Sequence, residues 1–208
     1  MPERIDHPFL VPDAHGAQLG AVRPIVAFQG ETGAFSERAA ALLVAGQLSL
    51  LPCETFDAAV RSVVNGNADY AVIPIENLIA GPVGPAIDAL AQFPTLDRVR
   101  ELALPVRLAL MGLHDAKVDE IREVLSHPIA LKQCTRFLAE HPAIRTVEAH
   151  DTAGAARMVA IRRELSVAAI AAPWAAKHYG LTILAEGLED RPDNATTFVL
   201  VRRAPQRA

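Results

Sequence analysis

The sequence predicts an α/β protein of two halves, with parallel or mixed sheets covered by helices. Three observations carry this. Short apolar, strand-like runs alternate with segments of helical spacing along nearly the whole chain, as in sheets crossed over by helices. Of the 208 residues, 51% are apolar but only 5% are aromatic, and 38 are Ala, so the cores are built from Ala, Leu, Val and Ile. A break at Leu104-Pro105 divides the chain into halves of about 80–100 residues, a size at which α/β units fold.

The elements follow in order. Residues 1–23 read as a polar, Pro-containing arm. Residues 25–28 form a buried strand closed by Gly30 and Gly33, and 36–47 have the spacing of a helix through Ala39, Ala40, Leu43 and Val44. Residues 48–53 are a second strand. Thr55 caps a helix through Phe56, Ala59, Val60 and Val63, which stops at Asn65-Gly66. Residues 71–75 form a third apolar strand with Pro74 near its end. Gly81, Pro82 and Gly84 interrupt the chain before a helix through Ile87, Leu90 and Ala91.

In the second half, 99–110 is one long extended stretch interrupted by Pro105, and 121–125 is a strand. Ser126-His127-Pro128 opens one helix through Leu131, Cys134, Phe137 and Leu138. Thr146-Val147 is a short strand, and Asp151-Thr152 caps a helix through Ala155, Ala156, Val159 and Ala160. Residues 167–171 are a strand, and Pro173 starts a helix stopped at Gly180. Residues 181–184 and 198–201 are the last strands.

Composition excludes several classes. No apolar run reaches the roughly 20 residues of a membrane span, and the first twenty residues lack the apolar core of a secretory signal. Cys53 and Cys134 stand alone, which argues against a disulfide framework or a structural zinc site. A net charge of −4 with scattered Lys and Arg gives no nucleic-acid footprint. The expectation is a soluble cytoplasmic protein with no metal, no nucleic-acid partner and no membrane partner.

There is no dinucleotide fingerprint, P-loop or nucleophile elbow. Four helix starts are rich in Gly, Ser or Thr: Gly33 to Ser36, Gly81 to Gly84, Ser126, and Thr152. Each is an ordinary cap by itself; together they would suit a small anionic substrate, because unpaired N–H groups at helix starts favour negative charge. His127 stands at such a start, as a cap or packing residue or as a ligand contact. Glu76-Asn77 follows a buried strand, where α/β proteins place ligand contacts. Asn194, Thr196 and Thr197 offer three hydrogen-bonding side chains at the opening of the last strand.

Five segments in this order resemble the prephenate dehydratase family. They are 28–36 (Phe-Gln-Gly-Glu-Thr-Gly-Ala-Phe-Ser), 68–77 (Ala-Asp-Tyr-Ala-Val-Ile-Pro-Ile-Glu-Asn), Ser126-His127-Pro128 with Gln133-Cys134, 151–156 (Asp-Thr-Ala-Gly-Ala-Ala), and Tyr179-Gly180-Leu181. The likeness runs from about Pro24 to Arg203. It implies a type II periplasmic-binding-protein-like fold with the active site in the cleft between lobes. Lobe 1 would then be 24–103 plus 186–203, lobe 2 would be 104–185, and 204–208 a tail. It implies a lyase of phenylalanine biosynthesis that converts prephenate to phenylpyruvate, needs no cofactor, and forms a homodimer or higher homo-oligomer. Many members carry a C-terminal phenylalanine-sensing ACT domain; the chain ends at Ala208, so that module is expected to be absent.

By the same resemblance Thr196, Glu76 and Asn77 are catalytic, with Thr196 the donor to the leaving hydroxyl. Gly33, Ser36, Gly81, Gly84, Ser126, His127, Thr152, Ala153, Thr197 and Phe198 bind substrate. Four positions depart from the family pattern. The signature Thr-Arg-Phe reads Thr196-Thr197-Phe198, Leu78 replaces a Ser or Thr, Ile129 stands where a Gln or another polar residue is common, and Leu108 replaces a His that a branch of the family also lacks. The lost Arg implies a weakened anion site at 197. Two alternatives follow: a prephenate decarboxylase that retains the hydroxyl, or a non-catalytic small-anion-binding protein of the same fold.

Overall fold

The computed structural model describes residues 23–205; the expected N-terminal arm lies almost wholly outside them, as does the end of the tail. The described chain forms two compact units. The first comprises residues 23–29, Ser36–Leu104 and 195–205, and the second comprises Gly30–Phe35 and Pro105–Asn194.

In the first unit the strands are β1 (Ile25–Gln29), β2 (Ser49–Cys53), β3 (Tyr70–Asn77), β4 (Gly81–Pro82), β5 (Leu96–Pro105) and a last strand, β11 (Ala195–Arg203). Their order is β2-β1-β3-β11-β5, with β4 hairpinned onto β3. β1 runs parallel to β2 and β3, and β11 returns antiparallel to β3. Helices α1 (Phe35–Leu43), α2 (Phe56–Val64) and α3 (Gly84–Ala91) accompany the strands. The Thr55 side chain caps α2 by accepting from Ala58 N. Val60, Val63, Ile73, Val199 and Val201 fill one face of the sheet together with small Ala side chains. That packing is what an aromatic-poor composition permits: Ala lets helix and sheet approach closely.

The second unit holds β6 (Ala109–Gly112), β7 (Glu123–Ser126), β8 (Arg145–Glu148), β9 (Val167–Ala171) and β10 (Thr182–Glu186), in the order β10-β6-β9-β7-β8. β7 is parallel to both β8 and β9, while β6 is antiparallel to β9 and β10. The helices are α4 (Pro128–Lys132), α5 (Thr135–Glu140), α6 (Thr152–Arg162) and α7 (Pro173–Tyr179). Leu108, Leu110, Ile121, Val124 and Ile170 fill one side of the sheet, and Met111, Leu125, Ala155, Ala156 and Val159 the other. Leu108, one of the departures from the family pattern, is thus a core residue.

Four expectations change. The long stretch 99–110 is two strands, β5 and β6, in different sheets, because Pro105 cannot supply a ladder N–H. The helix expected from Ser126 to Leu138 is two. Asp190 accepts from Thr135 N (2.9 Å), Thr135 Oγ1 (2.7 Å) and Arg136 N (3.0 Å), which starts α5 afresh. α1 ends at Leu43 rather than near Gln47. Residues 186–194 belong to the second unit, because Glu189 accepts from Leu108 N and Asp190 caps α5 there.

Asp190 generates a test. Partial burial pushes its carboxyl up, but hydrogen bonds from Thr135 and Arg136 outweigh this and hold it below the ordinary value. Its contribution is therefore present above the unfolded carboxylate pKa and lost as pH falls through the depressed folded value. Asp190→Ala should cost about 1–2 kcal/mol in urea denaturation at pH 7, the worth of a helix cap. The gap to the natural protein should narrow below about pH 4.

Candidate functional site

The polar residues singled out from the sequence form two groups, one in each unit. In the first unit the site is built where β3 ends and β11 begins. Pro74 has no N–H to offer, and the β3–β11 ladder slips there: Thr197 pairs with Glu76 and Phe198 with Pro74, leaving Ile75 as the extra residue of a bulge. Beyond the bulge, Thr196 lies directly opposite Asn77.

Asn77 is nearly buried, at 8% exposure, and its amide is satisfied on both sides. Nδ2 donates to Thr196 Oγ1 (2.9 Å) and to the Ala195 carbonyl (3.3 Å). Oδ1 accepts from Ile79 N (3.1 Å) and Ala80 N (2.9 Å). One side chain therefore pins the 78–80 turn and sets the Thr196 hydroxyl. Because that hydroxyl oxygen accepts from Asn77, its own proton is directed to another acceptor.

Neighbouring strand residues point to opposite faces, so Glu76 and Thr197 share the face that Asn77 and Thr196 do not. Glu76 is exposed and Thr197 half-buried. Phe198 is a core side chain, so its contribution is packing. Gly81, at φ +81°, makes the β3–β4 turn that a side chain would strain. Gly84 opens α3, whose start has no side-chain cap. Ser36, in the first turn of α1, is buried. Leu78 replaces a polar residue and is 63% exposed, so it adds an apolar tip beside Asn77.

In the second unit the parallel strands β9, β7 and β8 lead into α7, α4 and α6, so three helix starts lie at one edge of the sheet. Ser126 is fully buried and its hydroxyl donates to Ile170 O (2.6 Å), a strut between β7 and β9. His127 caps α4: Nδ1 accepts from Ile129 N (3.2 Å), which requires the proton on Nε2. Burial pushes the His127 imidazole below its ordinary value; Asp151 and Glu148 oppose this and His150 adds to it. Asp151, not Thr152, caps α6 by accepting from Gly154 N (2.7 Å). Thr152 is half-buried at the first helical position and Ala153 fully buried at the second. Gly33, at φ +91°, lies in a turn that rests against Ala175 and Tyr179 of α7.

Glu31 and Tyr179 stand in quoted sequence segments without a part assigned to them, and Arg157 and Trp174 in none; together they hold that turn by contacts spanning up to 147 residues. No local pattern announces such partners. Asn194 is buried, and its carbonyl accepts from Val106 N, joining the two chain segments that bound the second unit. Among the described residues no cluster of His, Cys, Asp or Glu has the arrangement of a metal site, and no helix is long and apolar enough to cross a membrane.

His127 gives a prediction with a definite sign. Protonating Nδ1 removes the α4 cap, and the folded pKa lies below the unfolded one. This contribution is present above about pH 6.5 and is lost as pH falls through the depressed folded value. His127→Asn keeps a capping oxygen that does not titrate. The fall in melting temperature of the natural protein between pH 7 and 5 should be shallower in that variant.

The prephenate dehydratase family model matches residues 26–206. The chain is 40% identical over 180 residues to arogenate dehydratase/prephenate dehydratase 2, chloroplastic, of Arabidopsis thaliana, covering 86% of this chain and 46% of that protein. Among solved structures it resembles the prephenate dehydratase of Arthrobacter aurescens in complex with L-Phe (TM-score 0.79, 33% identity, 88% of this chain and 63% of that one). It resembles equally GqqA, described as a novel type of quorum-quenching acylase (TM-score 0.79, 35% identity, 88% and 65%). The chain spans about half the length of the curated relatives it matches. With the match over nearly all of the described residues and two helix-covered sheets, the chain belongs to the prephenate dehydratase family and has its type II periplasmic-binding-protein-like fold.

Proposed function

We propose that the protein is a prephenate dehydratase that converts prephenate to phenylpyruvate, with Thr196 as the proton donor. The observation that carries this reading is the Asn77–Thr196 hydrogen bond of 2.9 Å at the end of β3. Prephenate is a cyclohexadiene with two carboxylates and a hydroxyl. As the ring carboxylate leaves as carbon dioxide, its bonding electron pair becomes a ring double bond and expels the hydroxyl on the far side of the ring. The Thr196 O–H gives its proton to that departing oxygen, so water leaves, and a solvent proton restores the hydroxyl. One carbon dioxide, one water and phenylpyruvate result, with one proton consumed. Aromatisation drives the step, and the protein supplies placement and one aligned donor.

The uncapped α3 start at Gly84, the α1 start at Ser36 and the α6 start at Thr152 and Ala153 are the proposed holders of the carboxylates. Thr197 receives a different reading from the one the resemblance implies. It faces Glu76 across the strand pair, so the missing arginine is a lost cross-strand partner of Glu76 rather than a lost substrate anchor. Glu76 then supports the strand pair, and Asn77 orients Thr196. The same proposal takes the protein as a cytoplasmic homodimer or larger homo-oligomer that acts without cofactor or metal. The Arabidopsis relative is chloroplastic, so compartment varies within the family.

Two experiments test this. Thr196→Val keeps the shape and removes the donor, so phenylpyruvate formation should fall about 10²-fold or more with folding intact. Unchanged turnover, or a non-aromatic decarboxylated product in the ultraviolet spectrum, would reject the dehydratase assignment. Thr197→Arg should raise stability by about 0.2–1 kcal/mol through Glu76 and leave the KM for prephenate within about twofold. A tenfold tighter KM would restore the anchor reading.

A further inference from the structure

The turn between β1 and α1 is held by a set of contacts that its own composition does not foretell. Residues Gly30–Phe35 pack with the second unit. Glu31 grips Arg157 on α6 in a two-pronged ion pair, with Nη2 to Oε1 at 2.9 Å and Nε on the other oxygen. The carboxylate lies against Gly154, one helical turn before Arg157: a Cβ at 154 would stand 3.3 Å from Glu31 Oε1. The next two carbonyls are also clamped, Thr32 O by the Tyr179 hydroxyl (2.6 Å) and Gly33 O by Trp174 Nε1 (2.9 Å). Phe35 then packs edge-on against Trp174, ring centroids 5.2 Å apart.

Of these clamps, only the ion pair holds the turn by a side chain of its first half. Gly30 and Gly33 both have positive φ, at +109° and +91°, and glycines leave a turn many conformations. Gripping Glu31 with both arms of a planar guanidinium removes that freedom at the point where the turn begins. The neighbouring residues fit this task. Gly154 leaves room for the carboxylate, and Ala34 N closes the turn onto Glu31 O at 3.1 Å.

We propose that Arg157 is a positioning residue: by holding Glu31 it sets the backbone of the Thr32–Ala34 turn, and with it Gly33, for the substrate's carboxylate. This rests on the dehydratase reading above and on the resemblance by which Gly33 binds substrate. Arg157 acts through Glu31 and does not itself touch the reacting atoms.

The test compares Arg157→Ala, Arg157→Lys, Glu31→Gln and the charge-reversed pair Glu31→Arg with Arg157→Glu. The readouts are prephenate kinetics and hydrogen exchange at the 32–37 amides. Arg157→Ala and Glu31→Gln should each raise KM about 5- to 20-fold with kcat within about twofold, and each should speed exchange in the turn. Arg157→Lys should fall between, because an ammonium cannot grip both oxygens. The reversed pair should recover most of both losses. If Glu31→Gln lowers KM while Arg157→Ala raises it, Arg157 is a substrate anchor that Glu31 screens, and the positioning role is overturned. Unchanged exchange in both single variants overturns it as well. If the natural protein does not convert prephenate, the functional reading fails, and the exchange data alone decide whether the ion pair orders the turn.

Discussion

The Asn77 amide is the constraint on which the first unit's polar site depends. It joins positions 119 residues apart and satisfies four groups at once: the Thr196 hydroxyl, the Ala195 carbonyl, and the N–H groups of Ile79 and Ala80. Losing it would strand several polar groups in a largely buried place, at about 1–3 kcal/mol for each one left unpaired. The same side chain ties the Leu78-Ile79-Ala80 turn to the Thr196 hydroxyl. The bulge at Pro74 decides which residues meet across the strands. Without that one-residue slip a different residue would face Thr196, because strand partners alternate faces at each step.

The second unit shows how much of an apparent binding motif is structural. Ser126-His127-Pro128 has the composition of a ligand loop, yet its serine hydroxyl is spent on β9 and its histidine on the first turn of α4. Asp151 is likewise spent on Gly154 N. Ile129, where a glutamine is common in the family, stands 46% exposed at the second position of α4. An exposed isoleucine there replaces a hydrogen-bonding surface with an apolar one, as Leu78 does in the first unit. Two such replacements point the same way, toward a less polar surface around the proposed site residues.

The departures from the family pattern thus differ in kind. Leu108 is absorbed into the core of the second unit. Thr197 changes a cross-strand pair. Leu78 and Ile129 are exposed, one in each unit.

The sequence by itself determined the α/β class, the alternation of elements, the helix caps at Thr55 and Asp151, and the family, because these rest on local chemistry and on short motifs in a set order. Hydrophobic period, capping residues and glycine turns act over a few residues and are read without knowing the fold. The sequence also pointed to Asn77 and Thr196, through the family motif and not through any sign that they touch. Tertiary structure alone decided that they do, that Glu76 faces away from them, that Asp190 divides one expected helix into two, and that Arg157 holds Glu31. Each of these is a pairing across 50 to 130 residues. Such pairings depend on strand register and sheet order, which no local preference encodes, and a single bulge is enough to change every partner beyond it.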